Sequence, residues 1–184
     1  MHVLNICYRA FGFIKGFGLV LSGLALAGMI LSISADVLSR NLSGNSIPGV
    51  YEVVMFYLMP LSVLPVVFYA FAQGVSPRIP MVFDRLPARF QKALYLFVVM
   101  AELLLMAIVA FYSFEYAVDG TTAGHAFPAA GDMYPKYPVY YLIPIGFAGV
   151  AVELAFIGLK NVMQPGVWIT YTKDQATIAE EFQV

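Results

Sequence analysis

Four stretches of this chain run for about twenty residues or more with no charge or only one, and nothing else in the sequence constrains the fold as strongly. An α-helix rises 1.5 Å per residue, so twenty residues cover about 30 Å, the thickness of a bilayer's hydrocarbon core. The first run, Gly16 to Ala35, has no charge at all. The second, Val53 to Pro77, lies between Glu52 and Arg78 and contains Pro60 and Pro65. Each proline removes a backbone donor, which a membrane helix tolerates where neighbouring helices or side chains satisfy the freed carbonyls. The third run, about 93–114, carries Glu102 near its middle, and the fourth, about 139–159, carries Glu153. The expected fold is an all-α membrane protein with four transmembrane helices. It divides into an interfacial N-terminal segment (1–15), a four-helix transmembrane domain (16–160) and a C-terminal tail (161–184). Arg9 and Lys15 before the first run, and Ser34 and Ala35 at its end, resemble parts of a secretory signal. The run is longer than the apolar region of about 7–15 residues in such signals, so it reads as a retained span.

Composition removes several functional classes. Hydrophobic residues make up 61% and charged residues 11%, against roughly a quarter charged in a soluble domain, so a water-soluble globule is excluded. The net charge of −1 leaves no basic excess for phosphates, and nucleic acid is not an expected partner. Cys7 is the single cysteine, which excludes an internal disulfide or a thiolate cluster. The two histidines, His2 and His125, lie outside the spans, so a membrane haem has no paired ligands. No His-x-x-x-His, Cys-x-x-Cys, phosphate loop or nucleophile elbow is present. Neither an enzymatic site nor a cofactor is expected.

Lysine and arginine set the orientation of a membrane chain. Arg9 and Lys15, then Arg78, Arg85, Arg89 and Lys92, then Lys160 and Lys173 place eight on the side of both termini and the second loop; Arg40 and Lys136 place two on the other. Both termini are therefore expected in the cytoplasm. The second loop interleaves basic and apolar residues and should lie on the membrane surface, with Pro87 opening a helix and Arg85, Arg89 and Lys92 meeting anionic lipid headgroups. The third loop, Glu115 to Pro138, is rich in glycine and proline, which argues against a long regular element. Beyond span four, Pro165-Gly166 ends the helix, and Trp168 and Tyr171 suit headgroup depth.

Glu102 and Glu153 need an explanation, because a carboxylate at mid-span costs about 2.5–3.5 kcal/mol on insertion scales. Each must face protein or water. Either they couple ions or protons, or they fix helix contacts; the apolar surroundings of Glu102 favour the structural reading. In span one, Gly12, Gly16, Gly23, Ala27 and Ser34 fall on one helical stripe where another helix can approach closely, within this chain or on another subunit. Arg40 and Glu52 bracket a loop containing Gly44, Asn45, Pro48 and Gly49, and are a candidate ion pair at the outer interface.

These residues carry a resemblance to the small membrane subunit of tripartite ATP-independent periplasmic (TRAP) transporters, the DctQ-like family. That family shows an arginine after span one and a glutamate twelve residues later opening span two, as Arg40 and Glu52 do, with Ile47-Pro48 between them. Its cytoplasmic stretch of the form His-Ile-x-Val-Asp ending in Leu-Pro is similar to Arg78-Ile79-Pro80-Met81 and Asp84-Arg85-Leu86-Pro87, with Arg78 replacing the usual histidine. A proline followed nine residues later by Pro-x-Gly matches Pro135 and Pro144-Ile145-Gly146. The resemblance covers about 16–160. It implies a scaffold in a bacterial inner membrane that holds a large transport subunit. That subunit carries the substrate and sodium sites, and a periplasmic binding protein delivers an organic anion, a carboxylate or sugar acid. The rivals are a self-contained small transporter using Glu102 or Glu153 and a membrane anchor of another complex.

The charge distribution generates a first test. In a Cys7→Ser background, a cysteine placed in the tail should react with a membrane-impermeant maleimide only after the cells are permeabilised. Labelling of intact cells from the periplasm would reverse the orientation.

Overall fold

The computed structural model describes residues 2–74 and 87–172. Helix α1 (His2–Ser43) is continuous over 42 residues and makes span one. Span two is assembled from pieces: α2 (Val50–Val53), a π-helical turn (Val54–Leu58), α3 (Met59–Val63), a 3₁₀ turn (Leu64–Val66) and α4 (Val67–Ala72). Helix α5 (Ala88–Thr122) is span three. An antiparallel hairpin of β1 (Ala126–Ala129) and β2 (Asp132–Pro135) follows. The short α6 (Tyr137–Tyr140) then leads into α7 (Leu142–Met163), which completes span four. Four helical stretches, at 4–43, 50–72, 90–122 and 137–163, are long and apolar enough to cross a membrane. The four-span architecture read from the sequence is therefore present. Most of the basic second loop, including Arg85, lies outside the described residues, as does the side chain of Arg89.

The breaks in span two sit at its prolines. The π turn immediately precedes α3, in which Pro60 is the second residue, and Pro65 lies in the 3₁₀ turn. Pro65 has no N–H for the carbonyl of Leu61 one turn back, and Ser22 Oγ on α1 donates to that carbonyl at 3.4 Å. Two glycines let neighbouring helices press against the same break. A Cβ on Gly18 of α1 would collide with the Pro65 carbonyl oxygen, and one on Gly146 of α7 would lie 3.0 Å from the Leu64 carbonyl oxygen. The kinked span is thus held from two sides by residues without side-chain bulk. Below the break, Phe68 packs with Tyr95, Val99, Val150, Leu154 and Ile157 to form the core shared by spans two, three and four.

At the opposite end the hairpin turns on Ala130 and Gly131, with φ of 53° and 95°, the left-handed pair that matches the twist of a two-residue hairpin. Phe127 of β1 is buried against the rings of Phe56 and Tyr57 in span two. The Tyr57 hydroxyl donates to the Pro135 carbonyl, and Lys136 Nζ lies 3.8 Å from the centre of the Phe56 ring. The sequence reading did not anticipate this hairpin, nor the continuation of α5 from Glu115 to Thr122.

Two glycines of α1 provide a contrasting test. Gly18→Ala should destabilise the purified subunit by about 1–3 kcal/mol through overpacking. Gly23→Ala, five residues further on with no atom near its added methyl, should change stability by no more than about 1 kcal/mol, in the stabilising direction. Thermal unfolding in detergent measures both.

Candidate functional site

Tyr8, Phe11 and Lys15 occupy one face of α1 at helical spacing, and they meet Glu153 from the middle of α7. Lys15 Nζ donates to Glu153 Oε2 at 2.9 Å, and the Tyr8 hydroxyl donates to Oε1 at 2.9 Å. Both carboxylate oxygens are therefore occupied by donors of the same chain. Glu153 is fully buried and Lys15 nearly so, with side-chain exposures of 0% and 6%. The ammonium lies 4.0 Å from the centre of the Tyr8 ring and 5.1 Å from that of Phe11, so two aromatic faces replace part of its hydration. Phe11 tilts against Phe68 and Phe156, which joins the pair to the core.

The end of α7 closes beside this pair. Tyr171 stacks on Tyr8 with centroids 3.9 Å apart, and its hydroxyl donates to Asn5 Oδ1 at 2.6 Å. Burial pushes the Tyr171 phenol above its ordinary value, so the neutral form that donates this bond is held past the pH where a free tyrosine ionises. The Tyr171 ring is thus packed against Tyr8 of the same chain. Lys92 gives one of its protons to the Gln164 carbonyl at 2.7 Å, at the end of α7, and is only partly available to lipid.

The remaining expected site residues fall elsewhere. Glu102 is half-buried on α5. Arg40 does not pair with Glu52; its guanidinium meets Asp36 at 3.0 Å, one turn earlier on α1. Asp36 is closer by geometry, since residues four apart on a helix are neighbours, and its other oxygen accepts the Ile47 N–H at 2.7 Å, fixing the return of the loop. The small-residue stripe is not a packing face within the chain: among the described residues no atom comes near where a side chain on Gly12, Gly16 or Gly23 would begin, and Gly23, Ala27 and Ser34 are exposed. The face of α1 that packs internally carries Lys15, Gly18, Ser22 and Ala25.

A family model described as "Tripartite ATP-independent periplasmic transporters, DctQ component" matches residues 29–162. The chain belongs to the DctQ family. It is a TRAP transporter small permease subunit and not an enzyme. A similar protein is the ectoine TRAP transporter small permease protein TeaB of Halomonas elongata, 26% identical over 149 residues that cover 80% of this chain and 76% of that one. Membership in the DctQ family implies the inner membrane, and it implies association with a large membrane subunit and a binding protein. The matched region begins at Met29, so Tyr8 and Lys15 lie outside it while Glu153 lies inside.

The pair has a distinctive mutational signature. Lys15→Met or Glu153→Met alone leaves one buried charge unpaired and should cost about 3–5 kcal/mol, whereas the double replacement should recover most of that loss. Denaturant unfolding of the four proteins as a double-mutant cycle measures it.

Proposed function

We propose that this DctQ-family chain is a non-catalytic scaffold in a sodium-driven transporter for an organic anion such as a carboxylate or sugar acid. It holds a large membrane subunit that performs the transport, to which a periplasmic binding protein delivers solute. The observation that carries this reading is the division of labour on α1. One face is consumed by Lys15, Gly18, Ser22 and Ala25 inside the chain, while among the described residues nothing packs where side chains on Gly12, Gly16 and Gly23 would begin, and Gly23, Ala27 and Ser34 on the same stripe are exposed. A small-residue stripe suits close approach by a helix of another subunit. Glu153 supports the same reading, because it is fully buried and each of its oxygens already accepts from a donor of the same chain, Tyr8 or Lys15. The named ectoine relative adds ectoine to the solutes to be tested. The termini are assigned to the cytoplasm, the lysine- and arginine-rich side, with Arg85, Arg89 and the remaining protons of Lys92 facing lipid headgroups.

Gly23→Leu and Ala27→Leu test the scaffold. Each adds bulk to the open face without loss of span hydrophobicity. Each variant should insert, keep the thermal stability of the isolated subunit, and lose both co-purification with the large subunit and binding-protein-dependent uptake. Undiminished co-purification would place the stripe against lipid. Uptake by the chain reconstituted alone would make it a transporter in its own right.

A further inference from the structure

Residues Gln164–Thr172 form a strap whose backbone is held by side chains of the bundle. Gln164 leaves the helix in an extended conformation and Gly166, at φ 89°, turns the chain back. Asn161, two residues before the helix end, hooks Trp168 in both directions: its Nδ2 donates to the Trp168 carbonyl at 2.7 Å and its Oδ1 accepts the Trp168 N–H at 2.9 Å. Lys160 donates to the Tyr171 carbonyl and lies 3.6 Å from the centre of the Trp168 ring. The Tyr95 hydroxyl donates to the Ile169 carbonyl at 3.1 Å. So anchored, Ile169, Thr170 and Tyr171 are buried although they belong to no helix or sheet ladder.

What the strap covers is the ion pair. Tyr171 lies on Tyr8, and Tyr8 in turn touches both Glu153 and Lys15. Phe156 closes the side, edge-on to Tyr8 at 5.5 Å and to Tyr171 at 5.9 Å. Tyr171 also grips Asn5, one turn before Tyr8. The first part of α1, from Asn5 to Lys15, thus receives the strap at two of its residues and α7 at three, Tyr8, Phe11 and Lys15. Removing the strap would bare one face of Tyr8 and bring water towards a charge pair whose attraction depends on water's exclusion.

We propose that the strap Gln164–Thr172 is a latch: closed, it seals the Lys15–Glu153 pair and seats the first part of α1; open, it releases both. The two ends of the described chain then form one conformational unit, and any partner or modification that engages the strap acts on α1 as well.

Cys7 provides the reporter, being the single cysteine, exposed, and adjacent to Tyr8. A nitroxide on Cys7 of the full-length protein in nanodiscs should give a restricted spectrum. Asn161→Ala, which removes both bonds to the Trp168 backbone without touching α1, and Tyr171→Ala, which removes the stacked ring, should each shorten the nitroxide correlation time severalfold. Tyr171→Phe, which keeps the stack and loses the Asn5 bond, should fall between them and the parent. An unchanged spectrum in Asn161→Ala overturns the latch, even if Tyr171→Ala alone shows an effect. Hydrogen exchange of the unmodified protein tests the same point without substitution. Amides of 164–172 and the side of α1 at 5–15 should gain protection together when opening is slowed by cooling, with matching temperature dependence. Exchange of the strap with no accompanying exchange in 5–15 overturns the proposal.

Discussion

A charge in an apolar medium must be neutralised where it stands, and in this subunit that requirement is met by Lys15 against Glu153. Neither residue could be buried alone. Together they tie the first span to the last, across 138 residues of sequence, and the arrangement around them follows. Tyr8 completes the carboxylate, Tyr8 and Phe11 flank the ammonium, and Phe11 reaches Phe68 in the common core. The pair gives the helices a fixed vertical register, which apolar packing among leucines and valines would specify less sharply.

Much of the architecture was legible because spans are written in composition. The four runs, their approximate limits and the family resemblance carried by Arg40, Glu52, Pro135 and Pro144 to Gly146 all came from one sequence. Partner choice was not legible in the same way. Glu153 stood out as a buried carboxylate, but Lys15 looked like a boundary charge, since the uncharged run begins just after it. Its burial depends on a helix that the sequence cannot place beside it. The helix consequently continues through the boundary drawn at residue 15. Arg40 shows the opposite error. Loop geometry suggests Glu52, twelve residues away, as its partner, whereas helical periodicity brings Asp36 within reach, and it is Asp36 that Arg40 meets.

Periodicity likewise identifies which residues share a face without saying what meets that face. Both the Gly16–Gly23–Ala27 stripe and the Gly18–Ser22–Ala25 stripe of α1 are small, and among the described residues only the second is packed against the rest of the chain. The signal that separates them lies in span two, where Pro65 frees the Leu61 carbonyl and so favours a hydroxyl opposite; Ser22 supplies it. The hairpin escaped notice because Gly131 and the neighbouring prolines read only as breakers. Left-handed Ala130 beside Gly131 makes the turn, and the buried Phe127 makes the contact.

The length of α1 has a mechanical consequence. Forty-two residues of helix extend about 63 Å, roughly twice the depth of a hydrocarbon core. Its last turns carry Leu38 and Leu42, exposed at 60% and 85%, which would face water if the helix stood upright. Leaning keeps them among lipid tails or against another apolar surface. A helix of this length, if inclined, would enlarge the subunit's footprint in the plane of the bilayer, so that a tipping force on an attached body would be spread over a long baseline, as a keel resists roll.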